Sequence, residues 1–196
     1  MTEKNEVEFL AEWLSLEAYP FKILAITTIL ADRQRAYRGT LKELCENMNI
    51  QPSSVNQNKI KTTLKLLADN DYIKLIIDQN IYTISLAAAV EKKPQILKIK
   101  KAWYVLIRKN GGKVAWGNTL KVFLSLLELS PDEITTYKKI GSQIGLSPST
   151  VDRSIKILCS IDFQDFQFKK TVHNKKDKAE HYFCIGQTYE KAIMFE

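Results

Sequence analysis

Apolar positions form two series of the same design along the chain. In each, a run that is apolar almost all round (21–31 and 119–129) precedes a short amphipathic stretch (41–48 and 137–144) and then a longer one. The longer stretch carries apolar residues at i, i+4 and i+7: Ile60, Leu64 and Leu67 in the first series, Val151, Ile155 and Leu158 in the second. That spacing holds them on one face of a helix, so helices are predicted near 56–69 and 149–161. Alternation follows. "YIKLIIDQNIYTISL" sets β-branched and aromatic residues on both sides of Asp78-Gln79-Asn80, and "FQFKKTV" and "EHYFCI" flank the polar "HNKKDKA". These read as hairpins with turn-forming centres. Each series is then three helices and a hairpin, the order of a winged helix. A leading amphipathic helix is expected over 7–14. In 96–116 helical and strand spacing compete; a short strand followed by a helix is favoured, with Asn110-Gly111-Gly112 as a turn or helix stop.

The two series are copies. "TLKELCENMNIQPSSV" aligns with "TYKKIGSQIGLSPSTV" at an offset of 96 (Thr40 to Thr136), and "FKIL" with "LKVF" ahead of them. Beyond that the offset falls to 91 (Ile60 to Val151), so the first copy holds about five extra residues, VNQNK, near the start of its last helix. A period near 100 residues is too long for a solenoid and fits a duplicated domain. The fold class expected is mainly α with small β-hairpin wings (α+β), as two tandem winged-helix domains, 1–90 and 91–196, fused as a pseudo-dimer.

"IGSQIGLSPSTVDRSIKIL" carries the clearest chemistry. Gly145 suits a left-handed helix end, Ser147 an N-cap, and Pro148 the first helical position, where its missing N–H is no loss. With Val151, Ile155 and Leu158 packed on Ile140 and Ile144, Ser149, Arg153 and Lys156 are left on another face, with Thr150 and Ser154 beside them. Hydroxyls at a helix N-terminus approach phosphates closely. An arginine there is long enough to reach a guanine edge with two hydrogen bonds. Asp152 interrupts this surface unless it accepts from cytosine or pairs with Arg153. In the first copy the corresponding candidates are Asn56, Gln57, Lys59, Lys61, Thr62, Thr63 and Lys65. Asn and Gln suit adenine, but the same residues equally suit protein contact or pairing with the second domain.

Charge sharpens the contrast between the halves. Residues 1–90 hold 10 Lys and Arg against 11 Asp and Glu, whereas 91–196 hold 19 against 11. A net charge of −1 thus faces one of +8, and the whole chain carries +7. Lys169, Lys170, Lys175, Lys176 and Lys178 cluster around the second hairpin, where a wing tip would follow a phosphate backbone or enter a minor groove. A solvated lysine loop is the plainer alternative. Three cysteines (Cys45, Cys159, Cys184), far apart, suggest reduced thiols. The acidic N-terminal stretch lacks the features of a secretory signal, and no apolar run approaches the roughly 20 residues of a membrane span. A cytoplasmic protein with no membrane partner is expected. No phosphate-binding loop, catalytic triad or metal-ligand pattern is present, so no cofactor and no enzymatic activity are expected.

The repeat resembles tandem winged-helix DNA-binding proteins. More loosely, "NTLKVFLSLLELSPDEITTYKKIGSQIGLSPSTVDRSIKIL" resembles the helix-turn-helix domain of replication initiators and replisome organisers from plasmids and phages of low-GC Gram-positive bacteria. That resemblance implies that the helix after Gly-Leu-Ser-Pro is the reader, here through Ser149, Thr150, Arg153 and Lys156. The expected partner is double-stranded DNA, with other proteins meeting the first domain, in a monomer or homodimer. The leading role is regulation of transcription or of a mobile genetic element. Its rivals are a replication initiator or accessory factor at an origin, and a protein-interaction scaffold.

Overall fold

Phe21, Ile23, Leu24, Ala25, Ile26 and Ile29 leave one helix almost no solvent face, and it becomes the centre around which the first half folds. A computed structural model describes residues 6–32, 34–86, 95–128, 136–164, 166–173, 179–186 and 191–195. Its elements run β1 (Glu6–Leu10), a 3-10 turn (Ala11–Ser15), α1 (Ala18–Ile29), β2 (Ala36–Gly39), α2 (Leu41–Asn47), α3 (Ser54–Asp69), β3 (Ile73–Asp78), β4 (Ile81–Leu86), β5 (Ile96–Lys100), α4 (Lys101–Glu128), α5 (Tyr137–Ile144), α6 (Pro148–Cys159), β6 (Phe166–His173), β7 (Ala179–Gly186) and β8 (Lys191–Phe195). The protein is α+β, and it divides into two compact units, Met1–Lys98 and Ile99–Glu196.

In the first unit, α1 packs on α3 and on β1, β2 and β4. The antiparallel sheet has the order β2-β4-β3, with Tyr37 opposite Ile84 and Leu75 opposite Ile84 from the other side. Trp13 and Phe9 meet edge to face with centroids 6.3 Å apart, both fully buried. The leading segment is not the expected helix. Val7 and Phe9 are buried on one side of β1 and the polar residues alternate with them, a period of two that outweighs the helical spacing. β1 pairs with β5.

In the second unit the kinked helix α4 takes the central place. Gly112, at φ 59° and ψ −162°, breaks it, and a Cβ on Gly111 would run into the backbone of Trp116. Past the kink, Trp116 through Leu126 is buried nearly all round against α5 and α6. Trp103, Phe123, Phe163 and Phe168 form an aromatic cluster; Phe123 and Phe163 stack at 5.6 Å with planes 11° apart. This cluster ties the first residues of β6 to the helices. The sheet is β6-β7-β8, antiparallel throughout. Its third strand comes from after the hairpin, whereas in the first unit the third strand, β2, comes from before it. Among the described residues, no helix is long and apolar enough to cross a membrane.

Candidate nucleic-acid interface

The turn between α5 and α6 is fixed by backbone demands that the sequence meets one by one. Thr136 caps α5 by accepting from the Lys139 N–H at 3.0 Å. Gly145 ends α5 in the left-handed region at φ 67°, and the Leu146 N–H returns to the Gly141 carbonyl at 2.8 Å. A side chain at Gly141 would collide with the Leu146 carbonyl, so glycine is required there for close approach. Beneath the turn, the fully buried Lys121 donates from Nζ to the Ile144 carbonyl, at the negative end of the α5 dipole. Burial pushes this lysine down to about 8.

The sequence then starts α6 as anticipated. Ser147 accepts from the Thr150 N–H at 3.2 Å, and Pro148 follows it. Val151, Ile155 and Leu158 are buried, as are Ile140 and Ile144 of α5, which packs against this helix. Each such aliphatic side chain contributes about 1.5–3 kcal/mol on leaving water. Ser149, Arg153 and Lys156 are exposed and Thr150 half-buried. Ser154 differs from expectation: it sits among the buried residues. The Ser147 hydroxyl hydrogen-bonds those of Ser149 at 3.0 Å and Thr150 at 2.8 Å, gathering three hydroxyls at the helix start. Asp152 takes Lys156, at 2.7 Å one turn along the helix, rather than Arg153. The exposed Lys138, Lys139, Ser142 and Gln143 of α5 add polar and basic groups that the motif alone does not point to. Their signal lies in the repeat: Lys139 stands where the first copy has Glu43, the acid of a capping box with Thr40. A cation at a helix N-terminus opposes the dipole, so this exchange adds positive charge at some local cost.

The first copy keeps the frame and changes the surface. Thr40 caps α2, and the Ile50 N–H bonds the Cys45 carbonyl at 2.9 Å, matching Leu146 and Gly141. Asn49 takes the left-handed place of Gly145 at φ 59°; asparagine tolerates that region better than most residues. The five extra residues do not sit in the turn alone. α3 begins five residues after Asn49, α6 three after Gly145; Ile60 is six residues into its helix, Val151 three. Two extra residues therefore widen the turn and three lengthen the helix, projecting its N-terminus about 4.5 Å farther.

That end is occupied with its own structure. Ser53 caps α3; the Asn56 amide donates to the Gln51 carbonyl at 2.8 Å and the Gln57 amide to Pro52 at 2.9 Å. Lys59 lies over the Tyr19 ring, 4.3 Å from its centroid, and the Thr63 hydroxyl donates to the Lys59 carbonyl. Lys61, Thr62 and Lys65 are exposed, but so are the apolar Val55 and Leu66. At the second hairpin, Lys169 and Lys170 lie on β6 opposite Phe183 and Tyr182 of β7. Lys175, Lys176 and Lys178 lie outside the described residues. Among the described residues, no group of His, Cys, Asp and Glu could hold a metal ion. No protein-family model, curated protein or solved structure matches the chain.

Proposed function

We propose that this chain is a sequence-specific double-stranded DNA-binding protein built of two winged-helix units, with α6 as its reading helix. The observation that carries this reading is the division of α6. Val151, Ile155 and Leu158 seal one face while Arg153 and the Ser149 and Thr150 hydroxyls stand on the open one. The helix start supplies N–H groups and hydroxyls for phosphate, and Arg153 supplies a planar fork for a guanine edge. The basic balance of this half, with the α5 lysines and the wing lysines, draws a polyanion to the same unit.

Lys156, held by Asp152, contributes field more than base contact. In the first unit, Asn56 and Gln57 each give one amide donor to the loop backbone, which favours a positioning or protein-contact role for this unit over base reading. The role that follows is regulation of transcription or of a mobile genetic element, in the cytoplasm. Replication initiation at an origin is the runner-up, resting on the same groups. The test is selection from a random duplex pool, followed by titration of the selected site. A defined motif is expected, with Arg153→Ala losing preference at one base pair. Equal binding of all duplexes by native protein and variant would refute base reading by α6.

A further inference from the structure

The first hairpin is apolar where the second is basic. β3 lies at the edge of its sheet, and among the described residues no strand pairs with its outer side. Its side chains are nonetheless those of an inner strand. Ile76 is 64% exposed and Ile77 43%, and Ile81 across the turn is 44% exposed. Edge strands of this kind are ordinarily blunted by proline, bulges or several charges; β3 has only Lys74 and Asp78.

Those two charges have a particular spacing. We infer that β3 pairs antiparallel with β3 of a second copy of this chain, about a two-fold axis through Ile76. In that register Lys74 faces the other copy's Asp78, Leu75 faces Ile77, and Ile76 faces itself. The hairpin geometry agrees. Asp78 and Ile81 close a two-residue turn, and such a closing pair exchanges both backbone hydrogen bonds. Asp78, Ile76 and Lys74 therefore aim their backbone groups at β4, while Ile73, Leu75 and Ile77 aim theirs outward. Pairing about Ile76 sets Leu75 opposite Ile77 twice, both with outward groups, as a hydrogen-bonded ladder needs.

Side-chain faces agree as well. Leu75 and Ile77 share the face of the buried Ile73 and extend that core across the axis. Lys74, Ile76 and Asp78 share the opposite face, where an Ile76 pair is flanked by two ion pairs. Other registers are opposed: an axis through Lys74 or Asp78 sets like charges face to face, and one through Leu75 or Ile77 sets a charge against Ile76. The interface is isologous and closes on itself, giving one sheet of six strands, β2-β4-β3 from each copy. This inference is independent of DNA recognition.

The test is sedimentation equilibrium of the full chain without DNA. The native chain is expected to dimerise. Ile76→Lys, at an exposed position, should give a monomer with unchanged circular dichroism. Lys74→Asp and Asp78→Lys should each weaken the dimer about tenfold or more, since each turns two attractive pairs into repulsive ones. Mixed one to one, these two variants should form a heterodimer near native strength, because every Asp then faces a Lys. A native chain that stays monomeric, a dimer indifferent to Ile76→Lys, or charge variants that do not recover on mixing would each overturn the pairing.

Discussion

The two units share one buried lattice and present opposite surfaces. Ile60, Leu64 and Leu67 in α3 match Val151, Ile155 and Leu158 in α6, all at most 2% exposed. Thr40 and Thr136 cap equivalent helices through equivalent bonds. Yet Glu43 becomes Lys139, a hairpin bearing Ile76, Ile77 and Ile81 gives way to one bearing Lys169 and Lys170, and a helix start busy with Asn56 and Gln57 becomes a short one bearing Ser149, Thr150 and Arg153. Burial constrains a duplicated core in both copies alike, whereas each surface is free to follow its partner. Here one copy exposes isoleucines on its hairpin, and the other carries lysines there.

The comparison is best broken where its effects are largest. Neutralising the lysines between β6 and β7 by substituting Lys175, Lys176 and Lys178 with Gln should flatten the log–log salt dependence of duplex binding by about 0.9 for each phosphate no longer neutralised. Substituting Ile76 and Ile81 with Ser should leave that slope unchanged. Arg153→Ala should weaken binding to a selected site by about 1–3 kcal/mol, while Lys61→Ala in α3 should cost far less in the same titration. The turns differ in tolerance too. Gly141→Ala should destabilise the second unit by about 1–3 kcal/mol, because the new methyl meets the Leu146 carbonyl. The matching Cys45, already bearing a side chain beside a turn two residues wider, should accept Ala at smaller cost in thermal unfolding.

A finer contrast concerns Lys22 and Lys121, which occupy nearly the same place in the repeat. Burial lowers both, and Lys121 reaches about 8 against an ordinary 10.5. The unfolded chain then holds its proton at higher pH than the folded one. The cost of the buried charge is full below pH 8 and is relieved as pH rises toward 10.5. The melting temperature of the native chain should therefore climb relative to Lys121→Met across that window; a gap constant with pH would mean that Lys121 is not strained by burial.

Much of this was legible in the sequence, for a physical reason. Helical spacing over three turns, with Ser147-Pro148 at one end and Gly145 before it, leaves few alternatives, and α6 forms within two residues of its expected bounds. The hairpin around Gln79 and Asn80 was equally plain. Short elements escaped. β2 has four residues, and β8 pairs with β7 from after the hairpin, where no local pattern announces it. β1 reads as helix because its five residues are too few to separate two periods. At the site, Ser154 was misplaced because it lies on the border between the buried and open faces of α6. The commitments of Asn56, Gln57, Lys59 and Lys156 depend on partners five residues away or fewer, or on Tyr19, and polar composition alone does not specify them.

DNA recognition by α6 is tested most directly by equilibrium titration of the pure native chain against its best duplex from a random pool, over a range of salt, beside Arg153→Ala. The expected result is tight, salt-dependent binding, with the variant weaker on that duplex and less selective against single base changes. If the native chain bound no duplex at low salt, or if the variant matched it in affinity and selectivity, reading by α6 would be contradicted.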